Sequence, residues 1–426
     1  MPAHRLPAIQ GSVLSIATQL GMALAIVAAL APFKAVDSAT VRTIAVGVAA
    51  DDDPSAGCTL REAIDVANAG GGVGAHANGC TVKGTVGTPP FSYAIKLPAY
   101  TYTLTGAPGD DANASGDLDI TANITISGQG PGNTAISGGS IDRVFHIDPA
   151  GAGSFTIDFE RLTIMNGGVA GWGAGIYNSG DAVNVSECAL HGNVSGGTVA
   201  GGAISNGAGK LTIESSTLSL NASDNGGGIY NAGTLAVTNS TLSGNSASHH
   251  GGAIANGGGT ATLVSTTITD SRADDDESGA GDGGGIHRTG GAVSLRNTIV
   301  AANHDLSPGP GDDHPDLSGL IDGAASNIIG STAGCTGTAG TGSDVVAPDP
   351  GLGPLAGNGG GTLTHAISFQ SPAHDGVAVC TDQAGFPLGT DQRAVARPQG
   401  YACDIGAFEV VTFFAFLPCI LDHTEP

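Results

Sequence analysis

The stretch GGGIYNAGTLAVTNSTLSGNSA, from Gly226 to Ala247, decides the fold because near-copies of it stand on both sides. Related blocks begin at Gly173, Gly201, Gly251 and Gly283, so the five starts are 28, 25, 25 and 32 residues apart. A sequence period of roughly 20–50 residues is typical of a solenoid. The quoted block has no acid, base or cysteine, and we interpret the repeat as scaffold.

Inside each block the apolar residues recur at every second position. Leu235 and Val237 alternate with Ala236 and Thr238, and short alternating runs between Gly and Asn predict strands and turns. Each block holds three such runs, which in the quoted block centre on Ile229, on Leu235–Val237 and on Leu242. A leucine-rich repeat is excluded because no helical segment follows the strand, and a calcium-binding nonapeptide roll because no GGxGxD series recurs. The pattern predicts an all-β parallel β-helix with about 25 residues per coil.

Stacking the coils places equivalent residues directly above one another, at the spacing of neighbouring strands. One apolar column is expected inside the coils, formed by Ile176, Ile204, Ile229, Ile254 and Ile286. Two asparagine columns are expected at turns, where side-chain amides can hydrogen-bond along the stack; they contain Asn178, Asn206, Asn231 and Asn256, and Asn193, Asn221 and Asn245. Glycine is expected at corners that need a positive φ or close packing.

The composition limits the possible partners. The 426-residue chain carries 14 Lys+Arg against 38 Asp+Glu, for a net charge of −24. A nucleic-acid groove needs clustered cations, so DNA and RNA are excluded as expected partners. The charge allows calcium but does not indicate it.

The termini indicate export. His4 and Arg5 precede an apolar run from Gly11 to Ala31, which predicts a secretory signal peptide over residues 1–35. The alternative is an uncleaved membrane anchor, since the run is long enough to span a bilayer. The apolar tail from Val410 to Leu421 is too short to span. We therefore expect a secreted or cell-surface protein in the extracellular or outer-envelope space, with no integral membrane domain in the mature chain.

An amino-terminal helix is predicted in CTLREAIDVANAG, residues 58–70. Thr59 and Glu62 have the spacing of a capping box, and an apolar face follows at helical spacing. We expect the helix to cover the first coil as a lid, because an open coil exposes unpaired backbone. Arg61, Glu62 and Asp65 are expected on a solvated helix face rather than in an active site.

Three motifs resemble a known group of secreted bacterial proteins. CTLREAIDVAN is similar to their CSLREA segment, and the GGAI, GGGIYN and TLSGN blocks resemble the right-handed parallel β-helix of these proteins and the repeats of polymorphic outer-membrane proteins. DPGLGPLAGNGGGTLTHA and TDQRAVARPQGYACDIGAFE resemble the choice-of-anchor Q domain. The resemblance implies an exported protein with a pectin lyase-like fold and brings no catalytic residues. The expected divisions are a signal peptide (1–35), an amino-terminal cap with the CTLREAI helix (36–110), the parallel β-helix (111–305), a β-rich carboxyl-terminal cap module of the choice-of-anchor Q type (306–409) and a short apolar tail (410–426).

Seven cysteines in an exported chain leave at least one without a partner in the monomer. With the resemblance in place, we expect Cys58 to pair with Cys80 around the lid, and Cys380 to pair with Cys403 in the carboxyl-terminal module. The remaining cysteines are Cys188, Cys335 and Cys419. The chain also departs from the related proteins at Ala394, where they have glycine after DQR.

Catalysis has weak candidates. Parallel β-helices frequently host polysaccharide lyases and hydrolases, and the acid-plus-base cluster here is Arg272 with Asp274, Asp275, Asp276 and Glu277. These acids lie in the loop that lengthens the fourth block, where solvated charge is normal. His287–Arg288 replaces Tyr-Asn of the repeat, and His249–His250 is a weaker metal candidate.

The sequence therefore favours a monomeric surface protein with a structural, adhesive or glycan-binding role. Glycans or other surface proteins are its expected partners, and we expect no catalytic residue, no cofactor-binding residue and no metal ligand. The alternative is a carbohydrate-active enzyme, a polysaccharide lyase or glycoside hydrolase.

Overall fold

The computed structural model describes residues 41–411 except 52–56, 75, 78, 88, 152–153, 198–199, 280, 309–312 and 383. The predicted signal peptide and almost all of the apolar tail lie outside the described residues. One helix of the described chain, α1, spans Leu60–Asn68, and the remaining elements are strands.

Four sheets run along the molecule, and the regular coils in the middle of the chain contribute one strand to each in turn. Sheet I has nine strands in the described residues: β6 (Leu118–Ile120), β9 (Phe145–Ile147), β13 (Ile176–Asn178), β17 (Ile204–Asn206), β21 (Ile229–Asn231), β25 (Ile254–Asn256), β29 (Ile286–Arg288), β33 (Leu317–Ile321) and β36 (Cys335–Gly337). Sheet II has twelve: β1 (Val41–Ala45), β2 (His76–Ala77), β3 (Cys80–Lys83), β4 (Ser92–Lys96), β7 (Asn123–Ser127), β10 (Thr156–Glu160), β14 (Ala182–Ser186), β18 (Lys210–Glu214), β22 (Thr234–Thr238), β26 (Thr260–Val264), β30 (Ala292–Arg296) and β34 (Gly323–Ala325).

The other two sheets complete each coil. Sheet III has ten described strands: β5 (Thr101–Thr103), β8 (Ala135–Ser137), β11 (Thr163–Met165), β15 (Ala189–His191), β19 (Thr217–Ser219), β23 (Thr241–Ser243), β27 (Thr267–Thr269), β31 (Ile299–Val300), β35 (Ile328–Ile329) and β37 (Val345–Val346). Sheet IV has six two-residue strands there: β12 (Gly168–Val169), β16 (Val194–Ser195), β20 (Ala222–Ser223), β24 (Ser246–Ala247), β28 (Arg272–Ala273) and β32 (His304–Asp305). A separate antiparallel hairpin joins β38 (Leu352–Ala356) to β39 (Thr364–Ile367).

This architecture confirms the predicted fold class, an all-β parallel β-solenoid of about 8 turns. The three strands expected in the opening block are β21, β22 and β23, and the coil adds the very short β24. Parallel pairing reaches from Val41 to Val346, so the stack extends in both directions beyond the residues 111–305 that the repeats suggested. The earlier and later coils have irregular lengths, which hides their periodicity.

The predicted columns are confirmed. Ile229 pairs in register with Ile204 and Ile254, and its side chain is fully buried. Asn206 donates to the Asn231 side-chain oxygen at 2.8 Å, and Asn231 donates to that of Asn256 at 2.7 Å. The second asparagine column is also continuous from Asn193 to Asn245. The coils that carry these columns therefore repeat the same buried contacts, which satisfy polar groups that would otherwise destabilise the narrow core.

Glycine forms only some of the corners between the sheets, whereas the sequence predicted glycine at corners in general. Gly226 has φ +67°, and a β-carbon on Gly227 would lie 2.1 Å from the Ser246 carbonyl oxygen, so glycine is required before sheet I. The corner between sheets II and III instead uses non-glycine residues with positive φ in successive coils: Glu187, Ser215, Asn239, Ser265 and Asn297. Stacking of identical corners holds these residues in a conformation that costs each of them about 1–2 kcal/mol.

Helix α1 has the predicted capping box. Glu62 N–H donates to Thr59 Oγ1 at 3.2 Å, and Thr59 N–H donates to Glu62 Oε2 at 2.9 Å. The solvated polar face, however, was a wrong expectation for Arg61 and Glu62, which are only 2% and 3% exposed. Arg61 forms an ion pair with Asp51 at 2.9 Å and is covered by the chain around residues 113–117.

Residues 349–410 pack along the side of the solenoid, on the outer face of sheet III. The Gln392 side chain accepts a hydrogen bond from Thr241 Oγ1 at 2.6 Å and donates to Thr217 Oγ1 at 3.0 Å. A second apolar cluster joins Ile299 and Ile328 of sheet III to Ile405 and neighbouring residues. The threonine and serine side chains of this face are thus buried rather than exposed.

The structure joins Cys58 to Cys80 and Cys380 to Cys403 by disulfide bonds. Cys188 is a free thiol buried in the core, and burial raises its pKa to about 12. Cys335 is a free, partly buried thiol whose pKa burial also raises. Ala394 has φ +66°, a conformation that glycine adopts without strain.

Candidate functional site

The outer face of sheet I carries titratable and aromatic side chains. The middle residue of each short strand points away from the core, opposite to the buried isoleucines. In register from the amino-terminal end, this column contains Asp119, His146, Tyr177, Ser205, Tyr230, Ala255, His287 and Ser318. Two groups of functional side chains lie on this face, one at each end.

The first group, the acid–aromatic cluster, consists of Asp117, Asp119, Arg143, His146, Trp172 and Tyr177, with Asp111 at its edge. His146 stacks on Tyr177 with ring centroids 5.0 Å apart, and Trp172 packs edge-on against Tyr177 at 5.1 Å. The Arg143 guanidinium lies 5.5 Å from the Tyr177 ring centroid. Trp172 is 47% exposed, so the cluster presents an aromatic ring to solvent beside buried acids.

Burial controls the protonation of this cluster. It raises the pKa of Asp117 to about 8, although the Arg143 guanidinium 2.7 Å away opposes that increase. It raises the pKa of Asp119 to about 7, opposed by the Asn113 backbone N–H bonded to its carboxylate. Burial lowers the pKa of His146 to about 4, so the imidazole is neutral near pH 7. Carboxyl groups held protonated near neutral pH are the kind of group that can act as a general acid.

The loop that carries these acids is held by helix α1. Arg61 donates from Nη1 to the Asp117 carbonyl and from Nη2 to the Gly116 carbonyl, both at 2.8 Å. Asn113 donates from Nδ2 to Asp65 Oδ1 at 2.8 Å. The polar side of the lid helix therefore positions one wall of the cluster. The repeat pattern does not indicate this contact between the helix and the loop.

The second group, the histidine cluster, lies near the carboxyl-terminal end of sheet I. His250 and His287 stack with centroids 4.2 Å apart, and His314 Nδ1 lies 2.5 Å from Asp282 Oδ1. Burial lowers the pKa of His287 to about 4 and that of His250 below its usual range. The sequence singled out His250 and His287 individually, but only the fold brings them together with Asp282 and His314.

The predicted catalytic candidates do not form one site. Asp274 is fully buried, and its carboxylate accepts hydrogen bonds from Ser278 Oγ at 3.0 Å and Gly279 N–H at 2.9 Å, which corrects the expectation of solvated charge at this position. Its neighbours Asp275, Asp276 and Glu277 are exposed, as is Arg272. Arg288 is tied to Asp322 by an ion pair of 3.1 Å and donates to the Leu320 and Gly291 carbonyls.

The acid–aromatic cluster was missed for an identifiable reason. Asp119 and His146 lie in LDI and FHI, which do not resemble the IYN and ISN strands of the repeat. In each of these strands the titratable residue lies between two apolar residues that point inward. Aligning the strands on those apolar residues would have placed Asp119 and His146 in one column with Tyr177.

The motif residues of the carboxyl-terminal module are structural. Asp391 pairs with Arg393 at 2.7 Å and Arg397 pairs with Glu409 at 3.4 Å, and all four side chains are largely buried.

Comparisons with known proteins add little. No family model matches the chain. No curated protein matches it. A crystal structure of the pectate lyase Pel9A is similar over 86% of this chain and 96% of its own, with 12% identity and a TM-score of 0.45. At that level the likeness carries no information about activity. In the described residues, no helix has the length and apolarity to cross a membrane.

Proposed function

We propose that this protein is an exported β-helix protein of the cell surface or extracellular space that binds glycan chains along the outer face of sheet I. The observation that carries the proposal is the acid–aromatic cluster, where the half-exposed Trp172 ring stands beside Tyr177, Arg143 and His146. An aromatic ring can pack against the apolar face of a sugar, while adjacent charged and polar groups bond to its hydroxyls.

Export and surface location are supported by the apolar, basic-flanked amino terminus and by the motif resemblance to secreted bacterial proteins. Disulfide bonds are also typical of exported chains. The CTLREAI segment serves as an end cap and the DQR segment as a docking contact, so these motifs contribute scaffold rather than chemistry. A monomer without nucleic-acid partners remains part of the proposal.

A glycan array tests the proposal. Purified wild-type protein should retain a subset of glycans, and Trp172→Ala should weaken that binding by about tenfold, since loss of an aromatic contact costs about 1.4 kcal/mol. Tyr401→Ala is the matched control, because Tyr401 is 95% exposed and lies in the carboxyl-terminal module. Absence of glycan binding, or equal losses in both variants, would contradict the proposal.

A second candidate function is carbohydrate cleavage at the same cluster. It is favoured by Asp117 and Asp119, whose raised pKa values suit a general acid, next to the exposed Asp111. The same array, assayed for released reducing or unsaturated ends, distinguishes the two functions. Release that is abolished by Asp119→Asn would establish an enzyme, whereas binding without release would support the glycan-binding role.

A further inference from the structure

The histidine cluster joins side chains from three successive coils. His250 precedes β25, Asp282 and His287 belong to the coil of β29, and His314 precedes β33. One ligand atom from each of His250, Asp282 and His287 lies within 4.8 Å of the others. Imidazole nitrogens and a carboxylate oxygen thus converge at one point of the sheet I face.

Two of these nitrogens lack a hydrogen-bond partner. Nδ1 of His250 and Nδ1 of His287 are buried, and neither is bonded to any atom of the described residues. Leaving such an atom buried and unsatisfied costs roughly 1–3 kcal/mol. His314 Nδ1–H donates to Asp282 Oδ1, which leaves Asp282 Oδ2 free to face His250 Nδ1 at 3.9 Å.

We propose that His250 Nδ1, Asp282 Oδ2 and His287 Nδ1 bind a divalent transition-metal ion of the zinc class. Ligand bonds of about 2.0–2.2 Å require small inward movements of these side chains, and a tetrahedral ion would keep one further position for water. Two imidazoles favour zinc, cobalt or nickel over calcium and magnesium, which prefer oxygen ligands. His314 is a positioning residue that orients the Asp282 carboxylate.

The location explains what the ion would do. Asn256 of the first asparagine column pairs in register with Arg288, so the amide ladder ends at this coil. A metal ion held by His250 from one coil and by Asp282 and His287 from the next would tie these coils together where the ladder stops. The bound ion would therefore cross-link two neighbouring coils near the carboxyl-terminal end of the solenoid.

Metal titration of the full chain, purified without a polyhistidine tag and treated with a chelator, tests the proposal. Calorimetry with Zn²⁺ and visible absorption with Co²⁺ should report a single tight ion per chain, and Zn²⁺ should raise the melting temperature. His250→Ala and His287→Ala should each weaken binding by at least about tenfold. His304→Ala, at an exposed position, and His146→Ala, in the acid–aromatic cluster, are matched controls that should bind as the wild type does.

Three outcomes of the metal titration would contradict the proposed site. No tight ion in the wild type, full binding by His287→Ala, or loss of binding in His146→Ala or in His304→Ala would each overturn the site. Misfolding is separated from ligand loss by melting each variant in chelator, where His287→Ala should melt like metal-free wild type. His287→Gln offers a polar replacement if the alanine variant fails that check, and it should lose the ion as well.

Discussion

Single residues on this solenoid depart from their ordinary chemistry because the repeating scaffold buries them. Asp117 and Asp119 sit among backbone and aromatic groups, and desolvation dominates their pKa values even beside Arg143. Asp274 is likewise buried but is satisfied by hydrogen bonds within its own loop. The three buried acids thus differ in their surroundings, because only Asp117 and Asp119 lie in the acid–aromatic cluster that contains the half-exposed Trp172.

Asp117→Asn should change how stability depends on pH. A carboxyl whose folded pKa is raised to about 8 contributes stability that is complete below about pH 3.8 and is lost as pH rises through about 8. Asparagine resembles the neutral carboxyl, so the melting temperature of the variant relative to wild type should rise between about pH 3.8 and about pH 8 and stay constant above about pH 8. The contribution of His146, whose pKa is lowered to about 4, is lost as pH falls from about 6.5 through about 4, and it cancels in the comparison because both proteins carry His146.

Thermal melts of both proteins across that pH range check this expectation. Asp275→Asn, at an exposed position, is the control and should keep a constant difference from wild type. Parallel curves for Asp117→Asn and wild type would show that Asp117 titrates with its ordinary pKa.

At the scale of elements, the lid helix does more than cover the first coil. Its apolar face buries Ala63 and Ile64, and its polar face buries Arg61 against the loop that carries the acids. In the middle of the solenoid the asparagine columns make the polar contacts between neighbouring parts of the chain, because each side-chain amide donates a hydrogen bond to the next coil. Polar contacts therefore determine the register between neighbouring coils, while the aliphatic side chains provide the buried apolar surface.

Arg61→Met should destabilise the protein by about 3–5 kcal/mol, because it leaves the Asp51 carboxylate without its ion-pair partner and two buried carbonyl groups without their donor. Methionine keeps most of the aliphatic stem, so the loss reports on the charged group. Denaturant unfolding measures the change, with Arg272→Met at an exposed position as the control, expected within about 0.5 kcal/mol of wild type. Similar midpoints for the two variants would mean that the buried ion pair adds nothing to the lid.

At the scale of the whole molecule, the carboxyl-terminal module closes the side of sheet III. Gln392 is central to this contact, since its amide group also donates to Thr362 Oγ1 at 2.9 Å and to the Leu363 carbonyl at 3.0 Å. A groove of about 360 Å³ lies beside this contact and is lined by Thr163, Thr217 and Leu363 among others. The module converts a repeating polar face into an interior.

Gln392→Ala should loosen this contact and leave the Thr217 and Thr241 hydroxyls with fewer partners, at a cost of about 1–3 kcal/mol. Hydrogen exchange should become faster in the sheet III strands under the module and stay unchanged in sheet I. Gln399→Ala, whose side chain donates to the Ala396 carbonyl within the module, is the control. Exchange that is unaltered beneath the module would contradict the docking role of Gln392.

The sequence by itself determined the coil, its strands, the isoleucine and asparagine columns and the capping helix. The coil, its strands and the columns depend on contacts between a residue and its equivalent one coil away, so the repeat reports them directly, and the helix depends on its own capping box. The tertiary structure alone decided which side chains form sites. Asp119 meets His146, and His250 meets Asp282 and His287, through residues at irregular positions that share no motif. The burial of Arg61 likewise depends on a distant loop, and a helix pattern carries no information about what will cover its polar face.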